Sequence, residues 1–291
     1  MLITQISDFH LRPKRALAYD AADTADALEK VVEHINQMNP LSDLVIATGD
    51  LADGGALESY GLAHELLSPL KPPLYIVPGN HDQKDNLAAA FSDHKYLSQR
   101  IQGKKGSYIC YALEDFPIRL VGLDTVTPGE HGGGLGPGRL DWLGRKLEER
   151  PKSPTLIFMH HPPFASAIGH MDLEPFNGRR DFRDLIEKHP QVERITCGHI
   201  HRSISCRFAN TVATVCPGVG MQIALDFRSE APSGFIMEPP AVLIHRWGTF
   251  WGEESVLLTH TSVVENFPGQ YGKVHPFYGV ASRWGQTLIC D

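Results

Sequence analysis

The sequence predicts an α/β fold built on a parallel sheet, and three observations predict it. Short apolar runs recur along the chain, each stops at a polar residue, and helix-compatible sequence follows each one. Strand, helix, strand in that order requires parallel pairing. Met1 to Ser7 is the first run and stops at Asp8. Ala21 to Met38 then carries apolar residues at helical spacing, with Asp23 or Thr24 as its cap. Leu44 to Gly49 stops at Asp50, Ala56 to Leu67 is helical in period, and Leu74 to Gly79 stops at Asn80 and His81.

Gly106 to Leu113 and Ile118 to Leu123 read as further strands, followed by a glycine-rich loop from Gly129 to Gly138 and a helix around Leu140 to Glu149. Thr155 to Met159 restores the opening grammar and stops at His160 and His161. The polar, proline-bearing excursion Phe164 to Gly178 reads as a lid or specificity loop. A helix over Asp181 to Lys188 leads to Val192 to Cys197, which stops at Gly198, His199, Ile200 and His201. Beyond Ser203 the runs near Thr211 to Cys216, Ala241 to His245 and Val256 to Thr261 are short and broken by Pro and Gly, as in an antiparallel sheet edge or a small β-rich appendage.

Of the 291 residues, 42% are hydrophobic and 21% charged, without low-complexity tracts, so one large domain with at most an appendage is expected. A chain of this length buries enough apolar surface to fold without disulfides or a structural metal, so any metal serves chemistry. Cys110, Cys197, Cys206, Cys216 and Cys290 are odd in number and form no CxxC pair, which reads as free thiols in a reducing compartment. The first residues show no basic region followed by a long apolar core and cleavage site, so a cytoplasmic protein is expected. No stretch reaches the roughly 20 apolar residues that span a bilayer, which argues against a membrane partner. A formal charge of −7 argues against nucleic acid.

Five separate apolar runs end in residues that bind metals. Ligands of open parallel sheets bind beyond the carboxyl ends of the strands, so Asp8, His10, Asp50, Asn80, His160, His199 and His201 are expected to converge at one edge. Any one of these histidines alone is better explained by an ordinary hydrogen bond; the set is what points to a site. Imidazole nitrogens and carboxylate or amide oxygens without thiolate suit Fe, Mn, Zn or Co. Seven ligands exceed one tetrahedral ion and suit two ions about 3.5 to 4 Å apart, sharing a carboxylate. Two divalent ions against Asp8 and Asp50 leave +2, and a bridging hydroxide leaves +1, matching a singly charged phosphodiester.

Asp8-Phe-His10, Gly49-Asp50, Gly79-Asn80-His81-Asp82, His160-His161 and Gly198-His199-Ile200-His201 resemble the five blocks of the calcineurin-like metallophosphoesterase superfamily. Within it the chain is similar to the class III cyclic-nucleotide and bacterial glycerophosphodiester phosphodiesterases. The resemblance implies an α/β sandwich, two mixed sheets flanked by helices. It implies a catalytic domain over residues 1–225 and a β-rich extension over 226–291, whose many aromatic rings serve either core packing or contacts in a homo-oligomer. It further implies a first metal held by Asp8, His10, Asp50 and His201, and a second held by Asp50, Asn80, His160 and His199. His81 would face the phosphate and stabilise charge or protonate the leaving group. The implied reaction is hydrolysis of a small phosphodiester, a 3′,5′-cyclic nucleotide or a glycerophosphodiester, by a hydroxide bridging the ions. The rivals are a phosphomonoesterase with the same core and a scaffold without activity.

Other polar residues carry weaker expectations. Asp82 and Asp124, near strand ends, could orient metal-binding histidines, and Asp82 could equally cap the following helix. His161, followed by two prolines, either fixes the turn or touches substrate. His34, His64, His94 and His189 are expected to be solvated. Met221 stands before Gln222 where related phosphodiesterases often place a histidine that contacts substrate.

Overall fold

A computed structural model describes residues 1–264 apart from 104, 105, 229 and 253. In chain order the strands are β1 (Leu2–Ile6), β2 (Leu44–Ala47), β3 (Leu74–Ile76), β4 (Arg100–Gly103), β5 (Gly106–Ile109), β6 (Tyr111–Leu113), β7 (Arg119–Leu123), β8 (Thr155–Met159), β9 (Val192–Cys197), β10 (Ile204–Phe208), β11 (Thr211–Val215), β12 (Gln222–Ile223), β13 (Phe235–Ile236), β14 (Ala241–Thr249) and β15 (Ser255–Val263). The helices are α1 (Thr24–Gln37), α2 (Leu57–Leu67), α3 (Lys84–Ala90), α4 (Pro137–Glu149) and α5 (Arg179–Glu187).

Each of the two main sheets has a parallel centre; the first carries antiparallel strands at one edge and the second at both. The first runs β15-β14-β1-β2-β3, with β1, β2 and β3 parallel and β14 antiparallel to β1. The second runs β10-β11-β9-β8-β7-β6, parallel from β7 through β8 and β9 to β11. Strands β2, β7 and β8 are buried along their whole length, as strands covered on both faces must be. Alternation then divides their side chains. Leu120, Leu156 and Phe158 join Ile3, Ile6 and the buried faces of α1 and α2 in one core, while Val121, Leu123, Ile157 and Met159 join Leu143, Phe182 and Ile186 of α4 and α5 in the other.

The helices form for local reasons. Asp23 caps α1 by accepting from the Asp26 amide at 3.0 Å, and Leu28, Val31, Val32 and Ile35 make its buried stripe. Pro137 opens α4, where its missing N–H costs nothing. The short helix α3 starts with Gln83, not Asp82, accepting from the Asp85 and Asn86 amides.

Residues 241–263 form a long hairpin that extends the first sheet through the β1–β14 pairing. Trp247 is buried there, whereas Trp251 at the turn is 95% exposed. Phe267, Tyr271, Phe277, Tyr278 and Trp284 lie outside the described residues. Among the described residues no helix is long and apolar enough to cross a membrane.

A buried polar seam ties this hairpin to the strand ends that carry the site. Gln5, with no exposed surface, donates to Thr48 Oγ1 and the Cys197 carbonyl, each at 2.9 Å, and accepts from Thr196 and from His245 Nε2 at 3.0 Å. His245 Nδ1 in turn accepts from Thr259 at 2.8 Å, and Arg194 donates to the same hydroxyl. Burial, with Arg194 adding to it, pushes His245 down to about 3 from its usual 6.5. The folded chain therefore keeps His245 neutral while the unfolded chain protonates it near pH 6.5. Stability from this group is present above that pH and falls by roughly 1.4 kcal/mol per pH unit as the pH drops toward 3. In urea unfolding at pH 7 and pH 5, His245→Gln is expected to lose that share of the acid sensitivity; the same pH dependence as wild type would contradict it.

Candidate metal centre

The first and second sheets deliver their carboxyl-terminal loops to one place. The amide of Asp8 donates to the Gly49 carbonyl, that of His10 to the Asp50 carbonyl, that of Gly198 to the His160 carbonyl, and that of Val219 to the Ser7 carbonyl. Asp8, His10, Asp50, His199 and His201 all have φ between 46 and 72°. A left-handed backbone costs a residue bearing a Cβ about 1 to 2 kcal/mol, and such strain concentrates where function requires a particular side-chain direction. The loops also pass too close for larger residues: a Cβ on Gly79 would stand 2.1 Å from Asp50 Oδ1, and one on Gly198 2.1 Å from Ser7 Oγ.

The side chains meet as the sequence predicts. His10 Nε2 lies 3.1 Å from His201 Nε2 and 3.7 Å from Asp50 Oδ2, and His201 Nε2 lies 3.3 Å from Asp8 Oδ1. On the other side, His160 Nε2 is 3.2 Å from Asp50 Oδ2 and 3.0 Å from Asn80 Oδ1. His199 packs its ring 5.1 Å from that of His160, and its amide reaches both oxygens of Asp8 at 3.1 Å. Asp50 thus stands between the two groups. All of the proposed carboxylates and imidazoles except His199 are nearly fully buried.

The donor chemistry of this cluster fits cations. His160 Nδ1 donates to the Thr48 carbonyl at 2.7 Å and His201 Nδ1 to the Met221 carbonyl at 3.1 Å, so both present Nε2 to the cluster. Burial holds His10 down to about 3 and His199 well below its usual value, so both are neutral. Burial also raises Asp8. It works against the His160 proton as well, yet the Asp50 carboxylate alongside raises that imidazole to about 9; Asp50 itself, despite its burial, is held well below its usual value by His160. The buried Nδ1 of His10 has no hydrogen-bond partner. More lone pairs converge here than protons are available to separate them, which divalent cations would relieve.

His81 sits at the mouth of the cluster. Its amide donates to Asp50 Oδ1 at 2.8 Å and its Nδ1 lies 3.1 Å from Asp53 Oδ1. Burial opposes its protonation, but the bond to Asp53 and the charge of Asp50 raise it above the usual value. Asp53 was not among the residues expected at the site. It lies three positions beyond Asp50 in a turn rather than at a strand end, and only the fold brings it under His81.

Contacts of the remaining residues decide between their readings and correct some of them. Asp82 neither orients a histidine nor caps a helix: it accepts from the amides of Leu51, Ala52 and Gly79 and from the Tyr60 hydroxyl, tying together the loops that carry Asp50 and Asn80. Asp124 instead binds Lys84 and the amides of Ile109 and Val126. His161 fixes its turn, with Nδ1 on Thr125 and Nε2 on the His131 carbonyl, although it also lies beside His160 and His199. His189 is buried against Gln191 rather than solvated, and His34 and His94 are half-buried. Met221 is buried with Ala18, Ala22 and Phe235, lines the cavity beside the cluster, and offers its carbonyl to orient His201.

A cavity of about 560 Å³ is lined by Asp50, Asn80, His81 and His199, by Tyr19 and Phe235, and by residues of the 164–178 excursion. A larger groove of about 1040 Å³, beside Tyr108 and Arg139, contains none of the candidate ligands.

Residues 1–203 match the family described as calcineurin-like phosphoesterase. The chain is 39% identical over 279 residues to a probable glycerophosphodiester phosphodiesterase of Arcobacter nitrofigilis, covering 96% of this chain and 97% of that one. It is 32% identical over 202 residues to a 3′,5′-cyclic adenosine monophosphate phosphodiesterase of Pseudomonas aeruginosa, covering 69% and 70%. Among solved structures, a dimetal phosphatase from Danio rerio superposes with a TM-score of 0.59 at 15% identity, covering 89% of this chain and 98% of that one, a likeness of fold. By the match over most of its length, the chain belongs to the calcineurin-like phosphoesterase family.

Proposed function

We propose that this chain is a metal-dependent phosphodiesterase acting on small phosphodiesters. The observation that carries the reading is the convergence of Asp8, His10, Asp50, Asn80, His160, His199 and His201 around one carboxylate, in a chain related along nearly its whole length to a probable glycerophosphodiester phosphodiesterase. Asp8, His10, Asp50 and His201 would hold one ion and Asp50, Asn80, His160 and His199 a second, drawn from Fe, Mn, Zn or Co. Bound there, the ions supply Lewis-acid charge that acidifies water and draws the phosphoryl oxygens. The Thr48 and Met221 carbonyls hold the imidazoles of His160 and His201 in the tautomer that points Nε2 inward. Asp53 holds His81 by Nδ1, leaving its other nitrogen to give a proton to the departing alkoxide. The cavity leaves room for the two substituents of the ester.

Glycerophosphodiesters and 3′,5′-cyclic nucleotides are the candidate substrates, by the names of the relatives. A catalytic unit over residues 1–225 with its cavity completed by Phe235 of the extension, self-association through residues 226–291, and a partner set without nucleic acid or membrane complete the reading. Catalytic efficiency on bis(nitrophenyl) phosphate is expected to exceed that on nitrophenyl phosphate under matched metal conditions. A reversed ratio would transfer the assignment to phosphomonoesters while leaving the ligand set as it is.

A further inference from the structure

His170 lines the same cavity as Asp50, Asn80 and His81, but it comes from a short helical turn in the 164–178 excursion rather than from a strand end. Its ring nitrogens stand out: both are hidden from water, and neither has a hydrogen-bond partner. Leaving buried polar atoms unpaired costs free energy that a protein normally avoids. The loop that carries His170 is not loose. The Asp172 carboxylate accepts from the Ser166 amide and hydroxyl and from the Ala167 amide, at 2.8 to 2.9 Å. The amides of Met171 and Asp172 bond back to Ile168, which is fully buried in the core beneath. A pinned backbone thus carries an unsatisfied imidazole beside the cavity.

We propose that His170 is a specificity-determining residue that hydrogen-bonds a hydroxyl on the alcohol substituent of the substrate; this rests on the phosphodiesterase reading above. A neutral imidazole offers one N–H and one lone pair, which is what a hydroxyl, itself donor and acceptor, can satisfy. Rotation about the soft χ2 of the ring turns a nitrogen toward the cavity. His170 lines the cavity from the 164–178 excursion rather than from a strand end, which directs it to the ester's carbon skeleton. The cavity is also lined by Met221, Ile223 and Phe235, whose side chains cannot serve a hydroxyl, and by Tyr19, His131 and Ser233, which carry polar groups; of these lining residues His170 is the one whose two ring nitrogens are both buried and unpaired. A glycerol hydroxyl and the 2′-hydroxyl of a nucleoside 3′,5′-cyclic phosphate share this chemistry.

The test compares wild type, His170→Ala and His170→Gln on substrates with and without the hydroxyl. The panel is glycerophosphoethanolamine, 3′,5′-cyclic AMP, its 2′-deoxy analogue and bis(nitrophenyl) phosphate. His170→Ala is expected to lower kcat/KM by about tenfold or more on at least one of the two hydroxyl-bearing substrates. Bis(nitrophenyl) phosphate should change by no more than about twofold, and His170→Gln, whose amide keeps a donor and an acceptor, should restore part of the loss. Loss on glycerophosphoethanolamine identifies a glycerol hydroxyl; loss on cyclic AMP but not on the deoxy analogue identifies the ribose. The melting temperature of His170→Ala should not fall, because the ring has no internal bond to lose. Equal losses on all substrates, no loss on any, or a destabilised His170→Ala protein would overturn the proposal. Failure of the phosphodiesterase reading is seen separately, as wild type preferring nitrophenyl phosphate to its diester. In that event glycerol phosphate and nitrophenyl phosphate provide the same comparison for His170.

Discussion

Asp50→Ala is expected to lower turnover by about a thousandfold or more and to leave a protein unable to hold a normal metal complement. The reason is positional. Asp50 Oδ2 lies within 3.7 Å of both His10 and His160, which belong to different halves of the cluster, and Asp50 Oδ1 receives the His81 amide. Removing the carboxylate therefore takes an anionic ligand from both halves and leaves the buried His160 without the charge that offsets its own. Asn80 touches only the His160 side, so Asn80→Ala should weaken one half chiefly. Metal analysis and turnover on the purified variants measure both effects. A fully metallated, active Asp50→Ala protein would contradict the arrangement.

His81→Ala is expected to lower turnover by roughly a hundredfold or more with metal content nearly unchanged, as loss of a general acid or charge stabiliser does. His81 contacts the cluster through its amide, which alanine retains, and through its ring, which meets that of His10 edge-on at 4.7 Å between centroids; its Nδ1 partner Asp53 is outside the proposed ligand set. Leaving groups separate the two roles: a nitrophenyl ester, which departs without a proton, should suffer less than an alkyl ester if His81 acts as an acid. Asp53→Asn adds a pH readout. The bond to Asp53 raises His81 against the effect of burial, so the protonated form persists to higher pH. Removing that carboxylate should move the alkaline fall of activity to lower pH. Equal losses for both kinds of leaving group, with an unmoved alkaline limb, would favour electrostatic stabilisation.

Much of this architecture is legible in the sequence because strand ends are marked twice. A run such as Thr155 to Met159 announces a fully buried strand by its composition, and the His160 that follows announces a site by its chemistry; the strand has those bounds in the structure. Val192 to Cys197 and His199 behave likewise. The fold also requires residues whose roles have no local signature. Asp53, Asp82 and Asp124 are three aspartates near strand ends or turns, and only tertiary contacts determine that one braces His81, one ties loops together and one binds Lys84. The carbonyls of Thr48 and Met221 are invisible to any reading of side chains. Met221 illustrates the limit well, because its side chain reads as a lost polar contact while its backbone supports His201. The pairing of residues 241–249 with β1 is equally illegible: an antiparallel edge and a separate appendage share the same alternating pattern.

If the strand-end residues form one catalytic centre dependent on two ions, protein stripped with a chelator is expected to show no hydrolysis of bis(nitrophenyl) phosphate and to recover fully when Mn or Zn is added back to two equivalents per chain, with Asp50→Ala failing to recover. Activity that survives complete metal removal, or that saturates at one equivalent, would contradict that dependence.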